Sequence, residues 1–244
     1  EYNKIDTLCL YEVIEGVLRT YGHTIQSLPL TSTGLPRYEL KQKLAKNPRT
    51  KARIRDAYPT YDVYKLLAKA FRGGVTHTNR FFAGEIVDDV TSIDIGSSYP
   101  ARMLYELFPW EFSKVDNPTV DTLYDIMYEK LEGCVAEVAF KNIRLKNPQT
   151  PIPYISASKC YPYSRDNSII DNGMVIYCAN LTTAITDIDF EVIDDLYDWD
   201  DIVVNSMYTA PLRILPREHR EMVQELYVNK TKLKGDDAQA DLYM

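Results

Sequence analysis

The chain has 244 residues, of which 45% are hydrophobic, and its formal net charge is −7 at pH 7. This length allows one large domain or two small ones, and the apolar content excludes wholesale disorder. No apolar run approaches the roughly 18 residues that cross a bilayer. Residues 1–6 have neither the basic start nor the apolar stretch of a signal peptide. We therefore expect a cytoplasmic protein that does not bind a membrane.

The cysteines and histidines are few and scattered. The three histidines are not neighbours in sequence, and the four cysteines contain no CxxC pair. This pattern excludes the usual spacing of metal ligands and a dense disulfide framework. We expect free, buried thiols at Cys9, Cys134, Cys160 and Cys178.

The charge is distributed unevenly. Residues 41–55 include seven basic and no acidic side chains, whereas residues 187–201 are strongly acidic. A net negative charge argues against a uniform nucleic-acid-binding surface, but a local basic stripe can still bind a polyanion. We interpret the acidic run as a solvated surface rather than a metal site.

The predicted elements mix helices and strands without regular βαβ alternation, which is typical of an α+β fold. Periodicity, caps and breakers predict helices at 5–18, 37–46, 63–71, from Pro100, from the N-cap Thr119 to Gly133, at 190–197 and from 217 onward. They predict strands at 85–95, 134–140, 174–181 and 202–208.

The most informative segment is DIGSSYP, residues 94–100. Asp94 follows a predicted strand and precedes a polar turn and a helix that begins near Pro100. A carboxylate beside exposed amides suits a Mg²⁺ ion that carries a polyphosphate, because Mg²⁺ takes only one or two protein carboxylates. On these residues alone, an aspartate that caps the next helix is an equally open interpretation.

This segment resembles motif A of the family B DNA polymerases, DxxSLYP, with Ser98 where leucine is usual. The resemblance implies that Asp94 binds the two catalytic Mg²⁺ ions of the complete enzyme. It implies that Tyr99 stacks under the sugar of the incoming nucleotide and excludes a 2′-hydroxyl. Ser97 would lie along the nucleotide phosphates or the primer terminus.

FRGG at residues 71–74 resembles the YxGG element that joins the exonuclease and polymerase domains and contacts the template strand. The implied DNA-binding residues are Phe71, Arg72, Gly73 and Gly74. Phe71 replaces the tyrosine, so stacking remains while the hydrogen bond of the hydroxyl is lost. The glycines allow a backbone to approach a phosphate closely. A simple pair of glycines at a helix end is the alternative.

A weaker match lies at the start of the chain. Tyr2 and Asp6 fit the YxxxD pattern of the third exonuclease motif. Residues i and i+4 share one helix face, so the tyrosine would orient a water beside a metal bound to Asp6.

The other weak match is at residues 225–235, which resemble the segment that opens the fingers helix, where a lysine meets the triphosphate. Lys230 is the candidate, and Lys232 and Lys234 are neighbours that could serve instead. A solvated basic helix face is the alternative.

The nearest resemblance is to the protein-primed DNA polymerases of bacteriophages. It implies a partial palm with an antiparallel sheet, an inserted α+β subdomain and flanking helices. The implied parts are an exonuclease helix (1–20), a connector and basic helix (21–60), the palm with motif A (61–110), an inserted subdomain similar to a terminal-protein region (111–205), and the palm return and start of the fingers (206–244).

Several motifs of that family are missing. The sequence has no YxDTD-like motif and no KxxxNSxYG motif, and no DxE exonuclease motif precedes Tyr2. Two-metal phosphoryl transfer needs carboxylates from more than one strand. We therefore expect a section of a longer DNA polymerase that is inactive alone, encoded by a phage or prophage and located in the bacterial cytoplasm.

The expected partners follow from the same resemblance. They are primer–template DNA, dNTPs and a terminal-protein primer. Half a palm sheet would leave strand edges and apolar surface exposed, so a dimer of the chain is also expected. The alternatives are a non-catalytic DNA- or protein-binding module and an unrelated α+β enzyme with an accidental DIGSSYP, in which Tyr99 would be an ordinary core aromatic.

Overall fold

The computed structural model describes residues 2–29, 31, 34–74, 77–162 and 166–232, without the side chains of Tyr2, Asn3 and Asp166. The helices are α1 (Tyr2–Tyr21), α2 (Gly34–Ala45), α3 (Pro48–Asp56), α4 (Tyr61–Ala70), α5 (Ser98–Tyr105), α6 (Val120–Glu129), α7 (Asp187–Leu196) and α8 (Arg217–Lys232). The strands are β1 (Leu107–Pro109), β2 (Ser113–Lys114), β3 (Glu132–Leu145), β4 (Asp166–Asp171), β5 (Met174–Thr186), β6 (Tyr197–Asp198) and β7 (Asp201–Ile214).

The chain divides into two compact units. The first unit consists of residues 1–55, 97–106 and 215–244, and the second consists of residues 56–96 and 107–214. In the first unit, α8 contacts both α2 and α5. An ion pair between Lys43 and Glu225 joins α2 to α8.

The second unit is built on an antiparallel sheet in the order β1-β7-β3-β5-β4, with β2 on β7 and β6 on β3. The long strand β3 pairs with β5 along one side and with β7 along the other. Its pairing with β7 has a bulge between Glu137 and Val138. The expected α+β fold with an antiparallel sheet is confirmed.

Both faces of β3 are buried. Because side chains alternate across a strand, Cys134, Ala136 and Val138 face the main core, which also contains Phe190 of α7. Val135 faces the other way, into a smaller cluster with Leu66 and Ala70 of α4. The central strand is thus covered by helices on both faces, which fixes its register.

Two threonines begin the helices that cover the main core. Thr119 caps α6 in a capping box with Thr122, and Thr186 caps α7 in a capping box with Asp189. The reciprocal bonds satisfy amides that a helix leaves without partners. The predicted N-cap at Thr119 is confirmed.

Gly133 does not end α6, contrary to the prediction. The helix ends at Glu129, and Lys130 takes the left-handed conformation with φ 52°. Gly133 lies in β3, where a Cβ would come within 3.2 Å of Leu212 Cδ2 and 3.3 Å of Pro109 Cβ. The glycine is needed there for close packing.

The strand predicted at 85–95 is wrong, because these residues have no regular secondary structure. The segment is apolar in pattern, but Ile86 and Ile93 are almost fully exposed. A strand is stabilised by neighbours that pair with it. No described residue pairs with this segment, so its propensity alone does not form a strand.

The remaining predicted helices and strands are confirmed within the described residues, while α3, β1, β2, β4 and β6 were not predicted. Cys134, Cys160 and Cys178 are buried and free as expected, whereas the expectation of a buried thiol is wrong at Cys9, which is free but exposed. Residues 233–244, which include Lys234, lie outside the described residues. The domain boundaries stay predictions, although the boundary at 205/206 falls inside β7. None of the described helices is long and apolar enough to cross a membrane.

Candidate functional site

Asp94 lies at the end of the irregular segment, in the second unit. Its side chain is exposed, as are those of its neighbours Ile93 and Ile95. It forms no ion pair with any described residue. The carboxylate is therefore free to meet a cation or a solute.

Ser97 is the N-cap residue of α5, and it begins the segment 97–106 of the first unit. It has φ 56° and ψ 38°, a left-handed conformation, and its carbonyl accepts a hydrogen bond from Ala101 N at 3.1 Å. For a residue with a Cβ this conformation costs roughly 1–2 kcal/mol. Such strain is often found where a site must be held in one shape. The predicted helix around Pro100 is confirmed.

Tyr99 lies in the first turn of α5 and is 74% exposed. An ordinary core aromatic would be buried, so the interpretation of Tyr99 as core is wrong. Its ring is available to a ligand.

The two weaker candidates are also on exposed helix surfaces. Lys230 lies in the last turn of α8, and Asp6 lies on α1. The side chain of Tyr2 is outside the described residues, so its geometry with Asp6 is not tested.

A magnesium ion would find few protein ligands here. Among the described residues, no group of three or more histidine, cysteine, aspartate or glutamate side chains could hold a metal ion. Mg²⁺ keeps several waters and is commonly held by one or two carboxylates together with substrate phosphates. The exposed carboxylate of Asp94 fits one such ligand position and no more.

The FRGG element begins where α4 ends. Phe71 is the C-cap of α4, its amide donates to Leu67 O at 2.8 Å, and its ring is exposed. The helix therefore ends before the two glycines. The aromatic ring is free to stack on a base, while Gly73 has open space around it.

Arg72 is buried beneath this element. Its Nε lies 3.3 Å from Asp189 Oδ1, and the two side chains are only 12% and 8% exposed. Its guanidinium also lies over the ring of Tyr154, 5.3 Å from the centroid. Arg72 thus anchors the loop to α7.

Asp189 has further partners. Its Oδ2 accepts hydrogen bonds from the amide and the hydroxyl of Thr186, and its Oδ1 accepts one from the hydroxyl of Tyr154. Burial and this hydrogen bond raise the pKa of Tyr154 well above its usual range. The interpretation of the acidic run as a solvated surface is therefore wrong at Asp189, because the side chain caps a helix and balances a buried arginine.

Asp187 is a second structural carboxylate in that run. Its Oδ1 accepts a hydrogen bond from Cys134 N at 2.9 Å, and burial raises the pKa of Asp187. Burial, followed by the nearby Asp187 charge, raises the pKa of the Cys134 thiol to about 12. This thiol stays protonated at neutral pH and is not a nucleophile.

A cavity of about 210 Å³ opens beside the FRGG element, lined by Arg72, Gly73, Gly74, His77, Tyr154, Ser156, Lys159 and Met174. Nη2 of Arg72 and Nε2 of His77 are buried and have no hydrogen-bond partner among the described residues. Buried polar atoms normally have partners. The polar groups that a bound solute would meet in this cavity are Lys159, Nη2 of Arg72 and the glycine backbone.

Sequence reasoning missed the residues that the connection between β3 and β4 brings to this cavity. Tyr154, Ser156 and Lys159 are about 80 positions from Arg72 in sequence, in a proline-containing stretch without periodicity. No local pattern could have paired them with FRGG. The structure brings together the FRGG residues and this cavity within the second unit.

The described residues thus combine an antiparallel sheet covered by helices, the FRGG loop with its cavity, and the exposed side chains of Asp94 and Tyr99. No protein-family model matches the chain, and no curated protein matches it in sequence. Solved structures do match.

The matching structures are of phi29 DNA polymerase. The complex with single-stranded DNA has a TM-score of 0.60 and 17% identity, over 93% of this chain and 35% of that chain. The binary complex with primer–template DNA has a TM-score of 0.59 and 17% identity, over 88% of this chain and 34% of that chain. The ternary complex with primer–template DNA and incoming nucleotide has a TM-score of 0.57 and 17% identity, over 83% of this chain and 32% of that chain.

This chain therefore has the fold of a section of a phage-type DNA polymerase. It spans about a third of the length of the phi29 enzyme. The likeness agrees with the resemblance that residues 94–100 and 71–74 carry.

Proposed function

We propose that this chain is a section of a DNA-directed DNA polymerase that adds dNTPs to a DNA primer by a two-metal mechanism. In the parent enzyme we place a 3′–5′ exonuclease as well. The observation that carries the proposal is the exposed motif-A segment, with a free Asp94 and an exposed Tyr99, in a chain with a polymerase fold.

In this proposal Asp94 is a ligand of Mg²⁺. The bound ions would neutralise charge on the phosphates of the nucleotide. Ser97 and Tyr99 contact the nucleotide. The strained turn at Ser97 begins α5, and Tyr99 lies in the first turn of that helix. Lys230, exposed on α8, binds the triphosphate.

The FRGG element contacts the template strand. Phe71 stacks on a base and the backbone at Gly73 and Gly74 approaches a phosphate. Arg72 acts in a different way from an exposed phosphate ligand, because its pairing with Asp189 holds the loop in place. Tyr2 and Asp6 belong to the exonuclease site of the parent.

A non-catalytic DNA-binding module is the second candidate function. Such a module would use the FRGG loop and the basic residues 41–55, and it would not need Asp94. The terminal-protein primer, the dimer and the inactivity of the chain alone remain proposals under either function.

The proposal is tested with the polypeptide encoded by the complete reading frame that contains these residues. Primer extension is measured with dNTPs and with rNTPs for the wild type, Tyr99→Ala and Tyr105→Ala. Tyr105 lies on the same helix and is 81% exposed, so it is a matched control. We expect extension with dNTPs, and incorporation of ribonucleotides by Tyr99→Ala alone. Absence of any extension by the wild type would refute the polymerase and leave the binding module.

A further inference from the structure

The helix α3 carries a surface of positive charge that no candidate site uses. Four of its exposed residues are Lys46, which precedes the helix, and Arg49, Lys51 and Arg53 on it. We call these four residues the α3 basic surface. Among the described residues, none of the four forms an ion pair.

The inner face of α3 is fixed by polar contacts with α8. Asn47 Oδ1 accepts a hydrogen bond from Thr50 N at 3.3 Å, which caps the start of α3. Asn47 Nδ2 and Thr50 Oγ1 both donate to Glu218 Oε1, at 2.7 and 3.2 Å. These contacts hold the start of α3 against α8, while the side chains of Arg49, Lys51 and Arg53 are exposed to solvent.

This arrangement lowers the intrinsic stability of α3. Arg49 and Arg53 are four residues apart, so two like charges meet on one helix face. The first turn of α3 has no acidic residue, and the arginine there opposes the helix dipole. In the same chain, α6 and α7 carry Asp121 and Asp187 in their first turns, as helix stability favours. A bound polyanion would remove the repulsion on α3.

The charge pattern also limits where a polyanion can bind. Residues 41–55 carry a charge of +7, while the whole chain carries −7, so the remainder carries −14. Most of the surface therefore repels a polyanion, and this segment attracts one. Arginines spaced by one helical turn, about 6 Å, can meet successive phosphates of one strand.

We propose that the α3 basic surface binds the phosphate backbone of duplex DNA without reading its sequence. The choice of DNA among polyanions rests on the proposed function, whereas the site itself rests on the charge and exposure of α3. The surface contributes affinity rather than chemistry.

The test uses the 244-residue chain and a duplex oligonucleotide, with dissociation constants measured between about 50 and 200 mM salt. The variant Arg49→Ala/Lys51→Ala/Arg53→Ala is compared with Lys114→Ala/Lys130→Ala/Lys141→Ala, which removes three exposed lysines elsewhere. The slope of log K against log salt should fall by about 3 in the α3 variant, roughly one for each lost phosphate contact. The control variant should keep the wild-type slope.

A second variant separates charge from folding. Arg49→Lys/Arg53→Lys keeps the charge and should keep the wild-type slope, and thermal melting followed by circular dichroism should show that the α3 alanine variant is folded. No detectable binding by the wild type, or an equal loss in both alanine variants, would overturn the proposal. The polymerase proposal is judged separately, by primer extension with the complete protein, so failure of the α3 site and failure of the polymerase proposal give different results.

Discussion

Arg72 and Asp189 form a buried ion pair across 117 residues of sequence, with Arg72 Nε 3.3 Å from Asp189 Oδ1. The pair joins the loop after α4 to the first turn of α7. The same carboxylate caps α7 and accepts a hydrogen bond from the hydroxyl of Tyr154. The position of the FRGG loop, and of the cavity beside it, therefore depends on one aspartate.

Breaking this pair should destabilise the fold. Removal of one partner of a buried ion pair leaves an uncompensated charge, which costs about 3–5 kcal/mol. We expect Arg72→Ala to lower the free energy of unfolding by about 3 kcal/mol in urea denaturation. Arg102→Ala removes an exposed ion pair with Glu106 and should cost about 1 kcal/mol or less. Equal effects of the two substitutions would show that Arg72 is not held as described.

The hydroxyl of Tyr197 should contribute more to the free energy of unfolding than the hydroxyl of an exposed tyrosine. Tyr197 is fully buried, accepts hydrogen bonds from Tyr154 N and Ile155 N, and donates to Val175 O at 2.9 Å. Tyr197→Phe leaves buried backbone groups without partners, and we expect it to lower the free energy of unfolding by about 1–3 kcal/mol. Tyr64→Phe, at an exposed position, should change the free energy of unfolding by less than about 0.5 kcal/mol. An unchanged free energy of unfolding in Tyr197→Phe would contradict these hydrogen bonds.

His219 should make the stability of the chain depend on pH. Burial lowers the pKa of His219 from its usual 6.5, against the opposing effect of Glu218. The unfolded state then binds the proton more tightly, so this contribution to stability is present above pH 6.5 and is lost as the pH falls through the lowered value. We expect the melting temperature to fall between pH 7.5 and 5.5, and His219→Gln to reduce that difference. An unchanged pH dependence in the variant would refute the assignment to His219.

The irregular segment before motif A should tolerate polar substitution. Ile93 is 88% exposed, so Ile93→Ser should change the free energy of unfolding by about 0.5 kcal/mol or less. Ile143 is fully buried in the main core, and Ile143→Ala should cost about 2–5 kcal/mol. A large loss for Ile93→Ser would mean that the segment is packed, as the sequence had suggested.

Local patterns predicted those elements whose cause is local. The periodicity of α6 and α7, the cap of α6 and the apolar run of β3 are all properties of neighbouring residues. The strand at 85–95 failed because pairing depends on a partner elsewhere. The Arg72–Asp189 pair and the contribution of Lys159 to the cavity could not be predicted, because no local signal links residues so far apart in sequence. Asp94 and Tyr99 could be proposed from the sequence because they lie in one short segment.

The central claim is that Asp94 serves nucleotide transfer, and one measurement tests it most directly. With the complete protein, primer extension and primer–template binding are measured for the wild type, Asp94→Asn and Asp88→Asn, an exposed control in the same segment. We predict that Asp94→Asn retains DNA binding and slows extension by more than the ~10–100-fold typical of outer-shell metal partners, while Asp88→Asn extends normally. Extension by Asp94→Asn at the rate of the wild type would contradict the account.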